Sequence, residues 1–121
     1  VRLNVSGAFH SSLMKPAADK MAQVLATAHI VSPSVPVVAN VDAQKVQDPQ
    51  HIREKLVRQI DHAVLWEDTL KFMIGAGIDT FVEMGPGRVL SGLVRRTDKT
   101  RKFSNIEDKK SADALLAPVP L

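Results

Sequence analysis

Asp79-Thr-Phe-Val-Glu-Met-Gly-Pro-Gly-Arg-Val-Leu90 is the stretch whose reading decides the fold. Asp79 to Met84, with Phe81, Val82 and Met84 as its apolar residues, reads as a sheet strand. Gly85-Pro86-Gly87 then reads as a tight strand-to-helix turn. Val89, Leu90, Leu93 and Val94 recur at helical spacing and predict a helix with that face turned inward. A strand feeding a helix through so short a turn is the unit of α/β architecture.

The same alternation extends outward. Arg2 to Val5 reads as the end of a strand, and Ser6-Gly7 as a turn. Leu13, Ala17, Met21 and Leu25, with Ala18, Ala22 and Ala28, form a helical stripe, and Pro16 marks its first turn because a proline deep in a helix would clash. Val35 to Val41 is an apolar run expected as a strand buried in a parallel sheet. Asp48-Pro49 predicts a helix start, with Asp as cap and Pro at the first position. Ile52, Leu56 and Ile60 supply the apolar stripe of that helix, and Gln59 shares its face. Trp66 opens a further helix, with Leu70, Met73 and Ile74 facing inward and Gly75 and Gly77 ending it. Phe103 to Ile106 is expected as a last strand and Ser111 to Leu116 as a last helix. The order predicts an α/β layered fold with a mostly parallel sheet. So few short strands make a poor sheet on their own, which points to sequence beyond this chain.

Composition narrows the function. The chain has 121 residues, is 45% hydrophobic and 24% charged, and carries a net charge of +3. These are globular proportions. The longest apolar runs are too short to cross a bilayer. Val1-Arg2-Leu3-Asn4 lacks the apolar core of a signal peptide and an initiator Met, so the natural N-terminus is expected elsewhere. With no Cys there is no disulfide framework, thiolate metal site or thiol nucleophile, which suits a cytoplasmic protein. The absence of Tyr and the aromatic content of 4% offer no platform for stacking bases, which argues against nucleic acid as a partner.

His10 lies in Ser6-Gly7-Ala8-Phe9-His10-Ser11-Ser12, ahead of the first helix. Loops at helix N-termini concentrate functional residues, and the helix dipole there disfavours imidazolium, so His10 is placed as a neutral general base. No Gly-x-Ser-x-Gly elbow accompanies it. Gln59 reads as a half-buried amide at a helix edge, or as a site where a free helix-end carbonyl accepts the Nδ1–H of a histidine. Gly85-Pro86-Gly87 lacks the spacing of a phosphate-binding loop and is read as a structural turn. Arg95 to Lys102 holds five basic residues against one acidic, a run that could steer an acidic partner. His29, His51 and His62 show no metal-ligand spacing and are read as surface residues.

Several pieces together resemble one family. Ser6-Gly-Ala-Phe-His-Ser-Ser-Leu-Met14, Val35-Pro-Val-Val-Ala-Asn-Val-Asp42, Leu56-Val-Arg-Gln-Ile60 followed by Trp66, Glu83-Met-Gly-Pro-Gly-Arg-Val-Leu90 and Asn105-Ile-Glu-Asp108 are similar, in order and spacing, to the C-terminal part of malonyl-CoA:acyl-carrier-protein transacylase. The resemblance implies the C-terminal portion of an α/β-hydrolase-like acyltransferase core, missing its N-terminal half. Residues 1–5 would end a ferredoxin-like subdomain, 6–107 would belong to the core, and 108–121 would be a C-terminal helix and tail. It further implies a ping-pong transfer of malonyl from coenzyme A, through a serine ester, to the phosphopantetheine thiol of acyl carrier protein in fatty acid synthesis. His10 matches the family's catalytic base, and Gln59 the residue whose main-chain carbonyl orients it. Phe9 resembles the malonyl-selective form of the loop, where a ring would crowd an α-methyl group. No cofactor or metal is implied beyond malonyl-CoA as substrate. The serine, the malonate-binding arginine and the oxyanion hole would lie outside this chain, so the chain alone would be inactive. The alternatives are an acyltransferase domain of a polyketide synthase, and a non-catalytic module that binds acyl carrier protein.

Overall fold

Helix starts and stops follow the local chemistry of the chain. The computed structural model describes residues 7–116. Pro16 stands in the first turn of α1 (Lys15–Thr27), which a 3-10 turn over Ser12–Met14 introduces. Asp48 caps α2 (Pro49–Arg58), its carboxylate accepting from the His51 N–H at 2.9 Å. α3 (Trp66–Gly75) ends at Gly77, whose φ of 90° suits glycine. There the Gly77 N–H meets the Ile74 carbonyl at 3.0 Å and the Ile78 N–H meets the Met73 carbonyl at 3.1 Å, which satisfies carbonyls the helix leaves open. The expected strand over residues 2–5 and the proposed subdomain end at residues 1–5 lie outside the described residues.

The chain falls into two compact units that divide between Thr69 and Leu70. In the first, α1 packs on α2 beside a short antiparallel ladder of β1 (Val37–Val38) and β2 (Lys45–Val46). Its buried residues are Ala18, Val41, Ala43, Val46 and Thr69. In the second, β3 (Thr80–Met84) pairs in parallel with β4 (Lys102–Ile106), from Thr80 opposite Lys102 to Met84 opposite Ile106. α4 (Val89–Thr97) packs on both strands and α5 (Lys109–Leu116) on β4. Leu70 is 0% exposed, and burying such a side chain contributes about 2 kcal/mol. The fold is α/β with a parallel pair, as the stretch around Gly85 predicts.

Three expectations differ in detail. Val35 to Val41 is not a parallel strand. Only Val37 and Val38 join a ladder, and it is antiparallel. The chain turns back at once: the Ala43 N–H reaches the Ala39 carbonyl at 2.9 Å, Ala43 has φ 54°, and Asp42 accepts from the Gln44 N–H at 3.2 Å. Val41 and Ala43 are buried at this turn, so the apolar run reflects a buried turn. On α1 the tightly buried position is Ala18, flanked by half-buried Met14 and Leu25, while Leu13 is 76% exposed. On α4 the buried positions are Ser91 and Val94, and Val89 is 72% exposed.

The rotation of α4 has a visible cause. The Glu83 carboxylate accepts from the Leu90 N–H at 3.0 Å, the Ser91 N–H at 2.9 Å and the Ser91 hydroxyl at 2.7 Å. This turns Ser91 inward and leaves Val89 outside. The Ser91 hydroxyl and backbone bonds hold the Glu83 carboxyl below its ordinary value. Asn105 Nδ2 donates to the Gly87 carbonyl at 2.7 Å, tying the Gly85-Pro86-Gly87 turn to β4.

Candidate active site

The loop before α1 is held in a specific shape. The Ser11 hydroxyl donates to the Ala8 carbonyl at 2.7 Å, and the Met14 N–H donates to the Ser11 carbonyl at 2.9 Å. Between these anchors His10 adopts φ 58°, the left-handed region that costs a non-glycine residue on the order of 1 kcal/mol. Such strain persists only where surrounding contacts hold it. Here the ring itself is held, with His10 Nδ1 lying 2.7 Å from the Gln59 carbonyl oxygen.

That carbonyl is available because of helix geometry. Gln59 is the C-cap of α2, with φ −64° and ψ −15°, and its N–H closes the last turn onto the Lys55 carbonyl at 3.0 Å. Its own carbonyl belongs to the end of the helix that has no intrahelical donor. A carbonyl oxygen can only accept, so Nδ1 carries the proton and Nε2 of the neutral ring keeps its lone pair. His10 is exposed, and among the described residues Nε2 has no hydrogen-bond partner. The arrangement can take a proton at Nε2 and stabilise the resulting imidazolium through Nδ1.

Phe9 is 61% exposed, and its ring rests over Gly7: a β-carbon added at Gly7 would lie 3.2 Å from Phe9 Cε2. Gln59 is half-buried and borders a groove of about 190 Å³ with Val37, Val38, Val46, Ile52 and Leu56. Its backbone carbonyl meets His10. Lys55 lines the same groove and pairs with Asp42 at 2.9 Å, both side chains being mostly buried.

In the other unit, the glycine turn offers no vacant phosphate cradle, because the Glu83 carboxylate occupies the first N–H groups of α4. The basic run is partly engaged. Arg95 lies 4.4 Å from the centre of the Phe103 ring, and Arg101 Nε donates to Asp98 at 2.7 Å. The Thr100 hydroxyl bond, followed by that of Arg101, lowers the Asp98 carboxyl from 3.8 to about 2. Arg96, Lys99 and Lys102 are exposed. Among the described residues no group of three or more His, Cys, Asp or Glu side chains could hold a metal, and no helix is long and apolar enough to cross a membrane. His62 Nδ1 lies 2.6 Å from Asp61, and His51 Nδ1 lies 3.6 Å from Asp48.

His10 and Gln59, both marked out by the sequence, are 49 residues apart, and the structure brings them together. Glu83 escaped the sequence reading, although an acid seven residues before the helical N–H it caps was a usable signal. Arg53 and Lys55 escaped it too, because their partners, Ala28 and Asp42, are remote in sequence.

No protein-family model matches the chain. Over 93% of its length it is 41% identical to the malonyl CoA-acyl carrier protein transacylase of Bacillus subtilis (strain 168), and over 94% it is 40% identical to that of Escherichia coli (strain K12). The chain spans 36% and 37% of the length of these curated relatives. It is 42% identical over 78% of its length to a polyketide biosynthesis malonyl CoA-acyl carrier protein transacylase of Bacillus velezensis, and spans 32% of it. Among solved structures, the acyl-carrier-protein S-malonyltransferase of Burkholderia pseudomallei 1710b superposes with a TM-score of 0.87 at 39% identity, over 96% of this chain and 38% of that one. A malonyl-transacylase in complex with its type II PKS acyl-carrier protein superposes with a TM-score of 0.85 at 43% identity, over 93% of this chain and 37% of that one.

Proposed function

We propose that this chain is the histidine-bearing part of a malonyl-CoA:acyl-carrier-protein transacylase, and that His10 is its catalytic base. The observation that carries this reading is the 2.7 Å contact between His10 Nδ1 and the Gln59 carbonyl, within a chain about 40% identical to such enzymes.

A serine hydroxyl from the remainder of the enzyme attacks the thioester carbonyl of malonyl-CoA. His10 Nε2 takes the hydroxyl proton as the serine oxygen bonds to carbon. The Nδ1–H remains on the Gln59 carbonyl and fixes the tautomer through the step. The tetrahedral adduct collapses, the C–S bond breaks, and the departing thiolate takes the proton from Nε2. Serine then holds malonyl as an ester and Nε2 is again free. The phosphopantetheine thiol of acyl carrier protein repeats the sequence in reverse, giving its proton to Nε2 and receiving malonyl, and the proton returns to serine.

In this reading Phe9 borders the acyl group and disfavours an α-methyl substituent. The exposed cations Arg96, Lys99 and Lys102 form the surface that meets the acidic carrier protein. Malonyl-CoA is the substrate and no further cofactor takes part. The protein works in the cytoplasm, in fatty acid synthesis. The 42% identity to a polyketide biosynthesis transacylase favours one second reading, delivery of the same group to a polyketide carrier protein. Both readings are tested by supplying a separately expressed N-terminal half that carries the Gly-x-Ser-x-Gly serine and measuring malonyl transfer from malonyl-CoA. Transfer to fatty-acid and polyketide carrier proteins in competition separates the two. No transfer to either, from a reassembled and folded complex, overturns the proposal.

A further inference from the structure

We propose that Arg53 is a positioning residue for the base, setting the His10–Gln59 contact from the opposite end of a helix pair. The inference rests on the reading of His10 as the base and adds a residue to that site.

Two contacts tie α2 to α1 and to the loop that leads into it, near opposite ends of the pair. The loop leading into α1 carries His10, whose Nδ1 meets the carbonyl at the end of α2. At the far end of α1, the C-cap carbonyl of Ala28 accepts from both terminal nitrogens of Arg53, at 3.3 and 3.2 Å. Arg53 lies in the first half of α2, so the two helices run antiparallel. Both bonds use helix-end carbonyls that have no intrahelical donor. α1 therefore receives a side-chain donor from α2, α2 receives one from the loop that leads into α1, and the two contacts together fix the axial register.

Register matters because a helix passes on an axial shift with little loss. α1 has 13 residues, a rod about 20 Å long at roughly 1.5 Å per residue. A slip of about 1 Å at Ala28 would carry the His10 contact from 2.7 Å beyond the range of a hydrogen bond. Arg53 is suited to holding this register. It is half-buried, and its planar fork brings two donors to one oxygen, which fixes distance and direction together. A lysine would bring one rotating ammonium. His10 needs such support, because its φ of 58° makes other loop conformations favourable once the contact loosens.

The test reads the tautomer of His10 in the 121-residue chain by nitrogen-15 NMR of the ring, at a pH where the imidazole is neutral. In the parent chain the proton resides mainly on Nδ1. Arg53→Met should cut the Nδ1–H to Nε2–H ratio at least fivefold, and Arg53→Lys should give an intermediate ratio. Asp48→Ala, which removes the cap of α2 without touching either inter-helix bond, separates positioning from general loss of stability and should keep the parent ratio. A parent-like ratio in Arg53→Met, or an equal fall in Asp48→Ala, overturns the inference. If Arg53→Met does not fold, Arg53→Lys decides: a parent-like ratio overturns the inference. The readout needs no acyl transfer. An inactive reassembled enzyme with an Arg53-dependent tautomer would refute the transacylase reading and leave the positioning role standing.

Discussion

His10 Nδ1 and the Gln59 carbonyl oxygen, 2.7 Å apart, form the one side-chain bond of the imidazole among the described residues. The acceptor is backbone. This distinguishes the site from one oriented by a carboxylate, since a neutral carbonyl fixes the ring without placing a charge beside it. It also makes the orienting group insensitive to the side chain that carries it.

Gln59→Ala therefore keeps the acceptor and should change malonyl transfer by the reassembled enzyme by no more than about twofold. Steady-state rates with malonyl-CoA check this. A loss of a hundredfold or more would mean that the Gln59 amide, and not its carbonyl, does the orienting.

Phe9 is mostly exposed and stacked over Gly7. Phe9→Ala should raise the rate with methylmalonyl-CoA relative to malonyl-CoA by about tenfold, the scale on which one methyl group is discriminated. Equal relative rates in parent and variant would remove Phe9 from the specificity argument.

Arg96, Lys99 and Lys102 are exposed near the end of α4 and the start of β4. Replacing all three with Ala should weaken carrier-protein binding by roughly one decade at low salt and flatten its salt dependence. Binding measured at two ionic strengths decides. An unchanged salt slope would place the docking surface elsewhere.

Asp98 carries a carboxyl lowered from 3.8 to about 2 by its bonds to Thr100 and Arg101. A lowered carboxyl stabilises the fold fully above its unfolded value, and this stabilisation fades as pH falls through the folded one. Denaturant midpoints should therefore drop between about pH 4 and pH 2, and Asp98→Asn should reduce the drop over that window. An identical pH profile in the variant would show that the Asp98 bonds do not persist in solution.

The fold was legible where it rests on local chemistry. Asp48-Pro49 marks a helix start through its cap, Gly77 marks a stop through its left-handed backbone, and Asp79 to Met84 runs into a turn whose positive φ at Gly85 and Gly87 suits glycine. The Val35–Val41 run misleads because apolarity records burial, and a buried turn such as Val41 to Ala43 looks like a buried strand. The buried face of α4 is not legible from its own period, because an acid outside the helix sets its rotation. Glu83 turns α4 through Ser91, and no period in the helix sequence records that. In the site, the residue types of His10 and Gln59 were legible, and so was the carbonyl as acceptor. The bidentate bond from Arg53 to Ala28 was not, because a helix-end carbonyl has no side-chain signature.

The most direct measurement compares His10→Ala with the parent in the enzyme reassembled from this chain and a serine-bearing N-terminal half. A base used in each half-reaction contributes a factor of about 100 to 10,000, so the proposed role predicts that His10→Ala lowers malonyl transfer by that factor, with binding of acyl carrier protein unchanged. A variant that transfers malonyl at the parent rate would contradict the account, leaving the chain as a carrier-protein-binding module whose histidine does no chemistry.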